Sequence, residues 1–130
     1  TQQVENSYLY KFDISLPLNN WSIFLNATKI FHKNNASYKP YFFGHLGDGN
    51  LHCNYKINHS NKSKYLKLEK FIYQLVIRLG GSIAAEHGLG YSKNTLIKKY
   101  KSKEHFEILT KIKSLFDKER LLNRDKLIKS

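Results

Sequence analysis

The chain has no methionine, one cysteine, two prolines and one tryptophan among its 130 residues, and few acids to set against its bases. The single cysteine, Cys53, excludes an internal disulfide framework and fits a reducing compartment. No initiator methionine and no charged-then-apolar opening are present, so a signal segment is not expected and the chain is expected to begin inside a longer protein. No apolar run approaches the roughly 18–20 residues that a bilayer-spanning helix needs, so no membrane span is expected. Ten acidic residues against 22 basic ones leave a net charge of +12, which raises the question of a nucleic-acid partner. Arginine answers it: only Arg78, Arg120 and Arg124 are present, and arginine is the residue that makes bidentate phosphate and base contacts. The remaining bases are lysines spread from Lys11 to Lys129 with no helix-turn-helix, zinc-finger or RNP pattern, which reads as a solvated surface, with no nucleic acid expected.

What is present describes a folded domain. The hydrophobic fraction of 41% and aromatic fraction of 14% argue against disorder. Tyr8, Tyr10, Phe12, Ile14 and Leu16 alternate with Leu9, Lys11, Asp13 and Ser15, the period of a half-buried strand, which ends at Pro17. Asn19 or Asn20 is placed to cap a helix with apolar positions Trp21, Phe24, Leu25, Thr28 and Phe31. Residues 33–37 read as a loop, and Pro40 opens a further strand. Residues 58–64 read as a polar loop. Leu68, Phe71, Ile72, Leu75, Val76 and Leu79 then form one helical stripe, which Gly80-Gly81 terminates. Residues 82–85 have room only for a short strand or an extended entry. A last helix over Lys103 to Phe116 is expected to turn Ile108, Leu109, Ile112, Leu115 and Phe116 inward. This order of elements predicts an α+β fold: an antiparallel sheet with helices packed on one face, leaving the other face free to cover something else.

Asp48-Gly49 is a strong signal for a two-residue hairpin turn, which needs positive φ at both positions. A turn centred there sets His45 opposite His52, close enough for two imidazoles to share one metal ion, with Asn54 pointing to the same face. Glu86-His87, between Gly80-Gly81 and Gly88-Leu89-Gly90, adds a carboxylate ligand and a free imidazole. His45, His52 and Glu86 make a set of two histidines and one glutamate with an open fourth position, the pattern of catalytic rather than structural zinc. Scattered histidines and glutamates are also common as surface or core residues, and spacing alone leaves that alternative open. Gly88-Leu89-Gly90 does not make a dinucleotide loop, because position 93 is Lys and no strand–turn–helix unit precedes it. Cys53 alternates to the face opposite His52 and reads as a core thiol. Asp48 reads as a turn residue, and His32, His59 and His105 read as surface residues.

These motifs carry a resemblance. The block Tyr10-Lys11-Phe12-Asp13-Ile14-Ser15-Leu16-Pro17, the run from Gly44 to His52 with Asn54, Gly80-Gly81-Ser82, Ala85-Glu86-His87-Gly88-Leu89-Gly90 with Lys93, and Leu121-Leu122-Asn123 are together similar to the C-terminal domain of FAD-linked oxidases of the vanillyl-alcohol-oxidase type. Within that family the chain most resembles the D-2-hydroxyglutarate dehydrogenases, with cytochrome-type D-lactate dehydrogenases and glycolate oxidases as cousins. The family tail carries two prolines where Lys118 and Arg124 stand here.

The resemblance implies a ferredoxin-like α+β domain across residues 1–130, a fragment without the FAD-binding domain that would hold most of the FAD. It implies that His45, His52 and Glu86 ligate a divalent metal, zinc by the usual description. It further implies His87 as catalytic base, Lys11, Asn54, His87 and Thr1 as substrate contacts, and Asn123 near the flavin. The implied reaction oxidises a 2-hydroxy acid to a 2-oxo acid with hydride transfer to FAD. The alternatives are a D-lactate or glycolate dehydrogenase of the same family, and a degenerate, non-catalytic metal-binding module. The implied location is the mitochondrial matrix in a eukaryote and the cytoplasm otherwise.

Overall fold

A computed structural model of the chain describes residues 2–4, 7–57, 61–90, 93, 96, 99–124 and 126. They form two compact units, Thr1–Glu86 and His87–Ser130.

The first unit is a four-stranded antiparallel sheet with two helices. Strands β1 (Gln2–Val4), β2 (Ser7–Ser15), β3 (Lys39–Phe43) and β4 (Asn50–Ile57) lie in the order β1-β2-β4-β3. Helices α1 (Trp21–Lys33) and α2 (Lys62–Arg78) complete the unit. The alternation read along β2 is what the sheet uses. Tyr10, Phe12 and Ile14 are buried on one face, and they meet Leu51, Cys53, Tyr55 and Ile57 of β4 on that same face. The helices pack there through Phe24, Leu68, Ile72, Tyr73 and Val76, all buried. Phe12 binds the layers together, with its ring edge-on to Tyr55 at 6.0 Å and to Tyr73 at 5.5 Å. Burial of each such ring contributes roughly 1.5–3 kcal/mol. Cys53 lies in this layer as expected, and burial pushes its thiol pKa up, so it stays a protonated thiol.

Several boundaries differ from those expected. β1 carries no periodic signal, because three residues are too few for one. α2 starts at Lys62, inside the expected loop, because the Asn61 side chain accepts a hydrogen bond from the Lys64 amide and caps the helix early. Asn20 stands at the α1 N-cap position but makes no capping bond. Its amide instead donates to Leu79 O at 3.0 Å, tying α1 to the end of α2. His32 is a correction: it is partly buried against Tyr55 (ring centroids 5.5 Å) and desolvation lowers its pKa. His59 lies outside the described residues.

Two local devices bring distant segments to one end of the sheet. At the end of α2, Gly80 N–H donates to Ile77 O and Gly81 N–H to Val76 O, reversing the chain. Ser82 then forms an isolated antiparallel bridge with Ser15, with reciprocal backbone bonds of 2.9 Å. A Cβ at position 81 would run into Ser15 O, so only glycine permits this approach.

The second unit contains helix α3 (Lys103–Phe116), capped by Ser102 Oγ on the His105 amide. None of its residues is buried, and Leu115 and Phe116 are exposed, contrary to the inward stripe expected. After α3, Asp117 accepts from the Leu121 and Leu122 amides and pairs with Lys113, whose hydrogen bond holds the carboxyl pKa below its usual range.

Candidate metal centre

The outer face of the sheet is polar where the inner face is not. Lys11 pairs with Asn54 across β2 and β4, and Asp13 pairs with His52. On the other side of β4, Tyr41 pairs with Asn54 and Phe43 with His52. Directly paired residues share a face, so Lys11, Asp13, Tyr41, Phe43, His52 and Asn54 stand together.

The hairpin register differs from the expected one. His52 faces Phe43, two residues before His45, because Leu46–Asp48 forms a 3-10 turn in place of a two-residue turn. Only Gly49 takes positive φ, at 67°, whereas the expected turn needs it at Asp48 as well. Gly49 is fixed by Leu16, whose amide donates to Gly49 O at 2.8 Å and whose carbonyl a Cβ at 49 would strike. A shift of two residues preserves the side-chain face, where a shift of one would have reversed it. His45 therefore remains beside His52, with ring centroids 6.5 Å apart.

Glu86 arrives from the Ser15–Ser82 bridge and completes the group. His45 Nε2 lies 3.6 Å from Glu86 Oε1, and His52 Nε2 lies 3.7 Å from Glu86 Oε2. One donor atom from each of the three residues falls within 4.8 Å of the others. Tetrahedral ligands on bonds of about 2.1 Å sit about 3.4 Å apart, so this set is near ligand spacing with a fourth position open. Two imidazoles and a carboxylate also suit a borderline cation such as zinc. The residues fit a divalent metal.

Two side chains steady this group. Asp13 Oδ2 accepts from the amides of Glu86 at 2.8 Å and Ala85 at 3.2 Å, while Asp13 Oδ1 lies 3.5 Å from His52 Nδ1. Asn50, buried at the start of β4, donates from Nδ2 to Glu86 Oε1. Neither was singled out as a site residue from the sequence. The legible signal was an acid paired with a histidine across two strands, and it needed the β2–β4 register to be seen.

A cleft of about 480 Å³ adjoins Glu86, lined by Ser15, Asp48, Asn50 and Ser82 among others. Its two carboxylates disfavour an anionic ligand. Lys11 is exposed on the outer sheet face, where an anion would be favoured.

Of the other expected site residues, Lys11 and Asn54 form a cross-strand pair in the first unit. His87 and Asn123 belong to the second unit, Asn123 with φ 44°. Thr1 lies outside the described residues. Among the described residues, α1, α2 and α3 follow Asn20, Asn61 and Ser102, and none of these three helices opens from a glycine-rich turn of the kind that cradles a pyrophosphate. Among the described residues no helix is long and apolar enough to cross a membrane.

Residues 3–127 match the family model described as FAD linked oxidases, C-terminal domain. A putative mitochondrial D-lactate dehydrogenase of Schizosaccharomyces pombe is 38% identical over 120 residues, 85% of this chain and 23% of that protein. The mitochondrial D-2-hydroxyglutarate dehydrogenase of Bos taurus is 32% identical over 123 residues, 95% of this chain and 22% of that protein. That of Arabidopsis thaliana is 36% identical over 120 residues, 92% of this chain and 21% of that protein. The chain thus spans between a fifth and a quarter of the length of these relatives. With the sheet, the one-sided helices and the family match in agreement, the chain belongs to the family of FAD-linked oxidase C-terminal domains.

Proposed function

We propose that this chain is the substrate- and metal-binding part of an FAD-dependent dehydrogenase that oxidises a D-2-hydroxy acid, D-2-hydroxyglutarate foremost, to the 2-oxo acid. The observation that carries the proposal is the donor set of His45, His52 and Glu86 at one end of a sheet face that also presents Lys11 and Asn54.

His45, His52 and Glu86 hold the divalent metal, zinc by the donor chemistry. Such a cation supplies Lewis acidity that lowers the pKa of a hydroxyl bound to it. Lys11 pairs with a substrate carboxylate, and Asn54, opposite it, offers an amide to the same anion; Thr1 is proposed as a further contact. His87 accepts the hydroxyl proton, imidazole being the side chain that exchanges protons near neutral pH. The oxidation also needs an acceptor for the hydride from Cα, which the family's FAD would supply when bound. FAD is held by residues beyond those described, in an FAD-binding domain of the parent chain, with Asn123 nearby.

A lysine that pairs with a second carboxylate favours a dicarboxylate such as D-2-hydroxyglutarate. The 38% identity to a protein named a putative D-lactate dehydrogenase supports a monocarboxylate as the second reading. Relatives named as mitochondrial support a mitochondrial location in a eukaryotic host.

Steady-state oxidation by the full-length protein, with a dye as electron acceptor, separates these readings. D-2-hydroxyglutarate is expected to give the highest kcat/KM, with Lys11→Ala raising KM chiefly for that substrate. Preference for D-lactate or glycolate would favour the second reading. Metal binding without turnover of any 2-hydroxy acid would reduce the domain to a non-catalytic metal-binding module.

A further inference from the structure

We propose that Asp13 is the positioning residue of the metal centre, a single carboxylate that orients His52 with one oxygen and pins the Glu86 backbone with the other. This inference rests on His45, His52 and Glu86 being metal ligands, as proposed above.

Asp13 is nearly buried, at 6% exposure, on a strand whose other buried residues are apolar. A buried carboxylate costs several kcal/mol unless hydrogen bonds and charge partners compensate it. Its compensation comes from both segments that carry the ligands. Oδ2 accepts from Glu86 N at 2.8 Å and from Ala85 N at 3.2 Å, and this fixes where the Glu86 side chain leaves the backbone. Oδ1 lies 3.5 Å from His52 Nδ1, and the β2–β4 register sets the two residues directly opposite each other.

The consequence is chemical. A carboxylate facing Nδ1 favours a proton on that nitrogen, which leaves the lone pair on Nε2. Nε2 is the nitrogen that lies 3.7 Å from Glu86 Oε2 and faces the donor group. Carboxylate–histidine pairs of this kind fix tautomer and ring orientation and raise ligand basicity. The Phe43 ring, 5.1 Å from the His52 ring, limits its rotation from the β3 side. Two ligands from segments far apart in the chain are thus referred to one buried side chain. Asn50 adds a bond to the Glu86 carboxylate itself, so the reach of Glu86 is set from both its backbone and its tip.

Asp13→Asn separates the two roles. The amide oxygen still accepts from the Ala85 and Glu86 amides, and the NH2 group then faces His52 Nδ1. An NH2 there demands a lone pair on Nδ1 and moves the proton to Nε2, the ligating nitrogen. In the full-length protein, Zn2+ affinity measured by competition with a chromophoric chelator is expected to fall about 10–100-fold. Long-range 1H–15N spectra of the zinc-loaded wild type are expected to show His52 as the Nδ1–H tautomer, and those of the metal-free Asp13→Asn chain to show it as the Nε2–H tautomer. The tautomer readout does not respond to a loss of stability alone.

A wild type that binds Zn2+ tightly, together with an Asp13→Asn chain that binds it equally tightly, overturns this inference and leaves the metal centre standing. A wild-type His52 in the Nε2–H tautomer also overturns it, whether or not the variant folds. A wild type that binds Zn2+ no more tightly than His45→Ala overturns the metal centre, and this inference with it.

Discussion

Glu86→Gln is expected to lower the affinity of the full-length protein for Zn2+ by at least about a hundredfold, because the loss of an outer-shell partner alone costs 10–100-fold and Glu86 is proposed as a ligand itself. The change removes the one anionic donor of the set while keeping its size. It also places an NH2 group where a carboxylate oxygen lies 3.7 Å from His52 Nε2. The fold is expected to survive, since the side chain is substantially exposed and the bonds to Asp13 come from the amides of residues 85 and 86. His45→Ala acts at the same group from an exposed turn and is likewise expected to weaken binding without unfolding the chain. Asp48→Asn is the control: Asp48 lines the same cleft but belongs to none of the candidate donor groups found among the described residues. A chelator competition that ranks Glu86→Gln with Asp48→Asn would remove Glu86 from the ligand set.

The second large effect is on stability. Phe12→Ala is expected to cost about 3–5 kcal/mol, the usual range for truncation of a buried phenylalanine. Phe12 is 1% exposed, and its ring contacts Tyr55 in the sheet and Tyr73 on α2, so the cavity would open between layers that cannot both follow it inward. With native stabilities of about 5–15 kcal/mol, a loss of that size leaves little margin. Phe12 neighbours Lys11 and Asp13 but faces away from them, so the metal centre would be lost through unfolding and not through altered ligand chemistry. Urea denaturation followed by circular dichroism measures this, and an unchanged midpoint would contradict the layered core.

The parts of the fold that were legible in the sequence are those where one face is buried. Alternation in β2 and the stripes of α1 and α2 follow from burial against a single apolar layer. The hairpin illustrates where such reading fails. The Asp48-Gly49 doublet implied a two-residue turn, while the chain uses a 3-10 turn closed by Gly49 against Leu16. The register moved by two, and only because that number is even did His45 stay beside His52. Asp13 alternates with the apolar residues of β2, and a charge that is buried by its partners looks the same in sequence as one that faces water. His32 was read as a surface residue, though the turn of α1 on which it lies faces Tyr55. The stripe of α3 shows the reverse case, a helical period in which no residue is buried.

The central claim is that two imidazoles and one carboxylate of this domain hold a divalent cation. X-ray absorption at the zinc edge of the zinc-loaded full-length protein tests it most directly. The account predicts a four-coordinate first shell of nitrogen and oxygen at about 2.0–2.2 Å, with the outer-shell scattering of two imidazoles. Sulfur at about 2.3 Å, or a shell of oxygen without imidazole scattering, would contradict it.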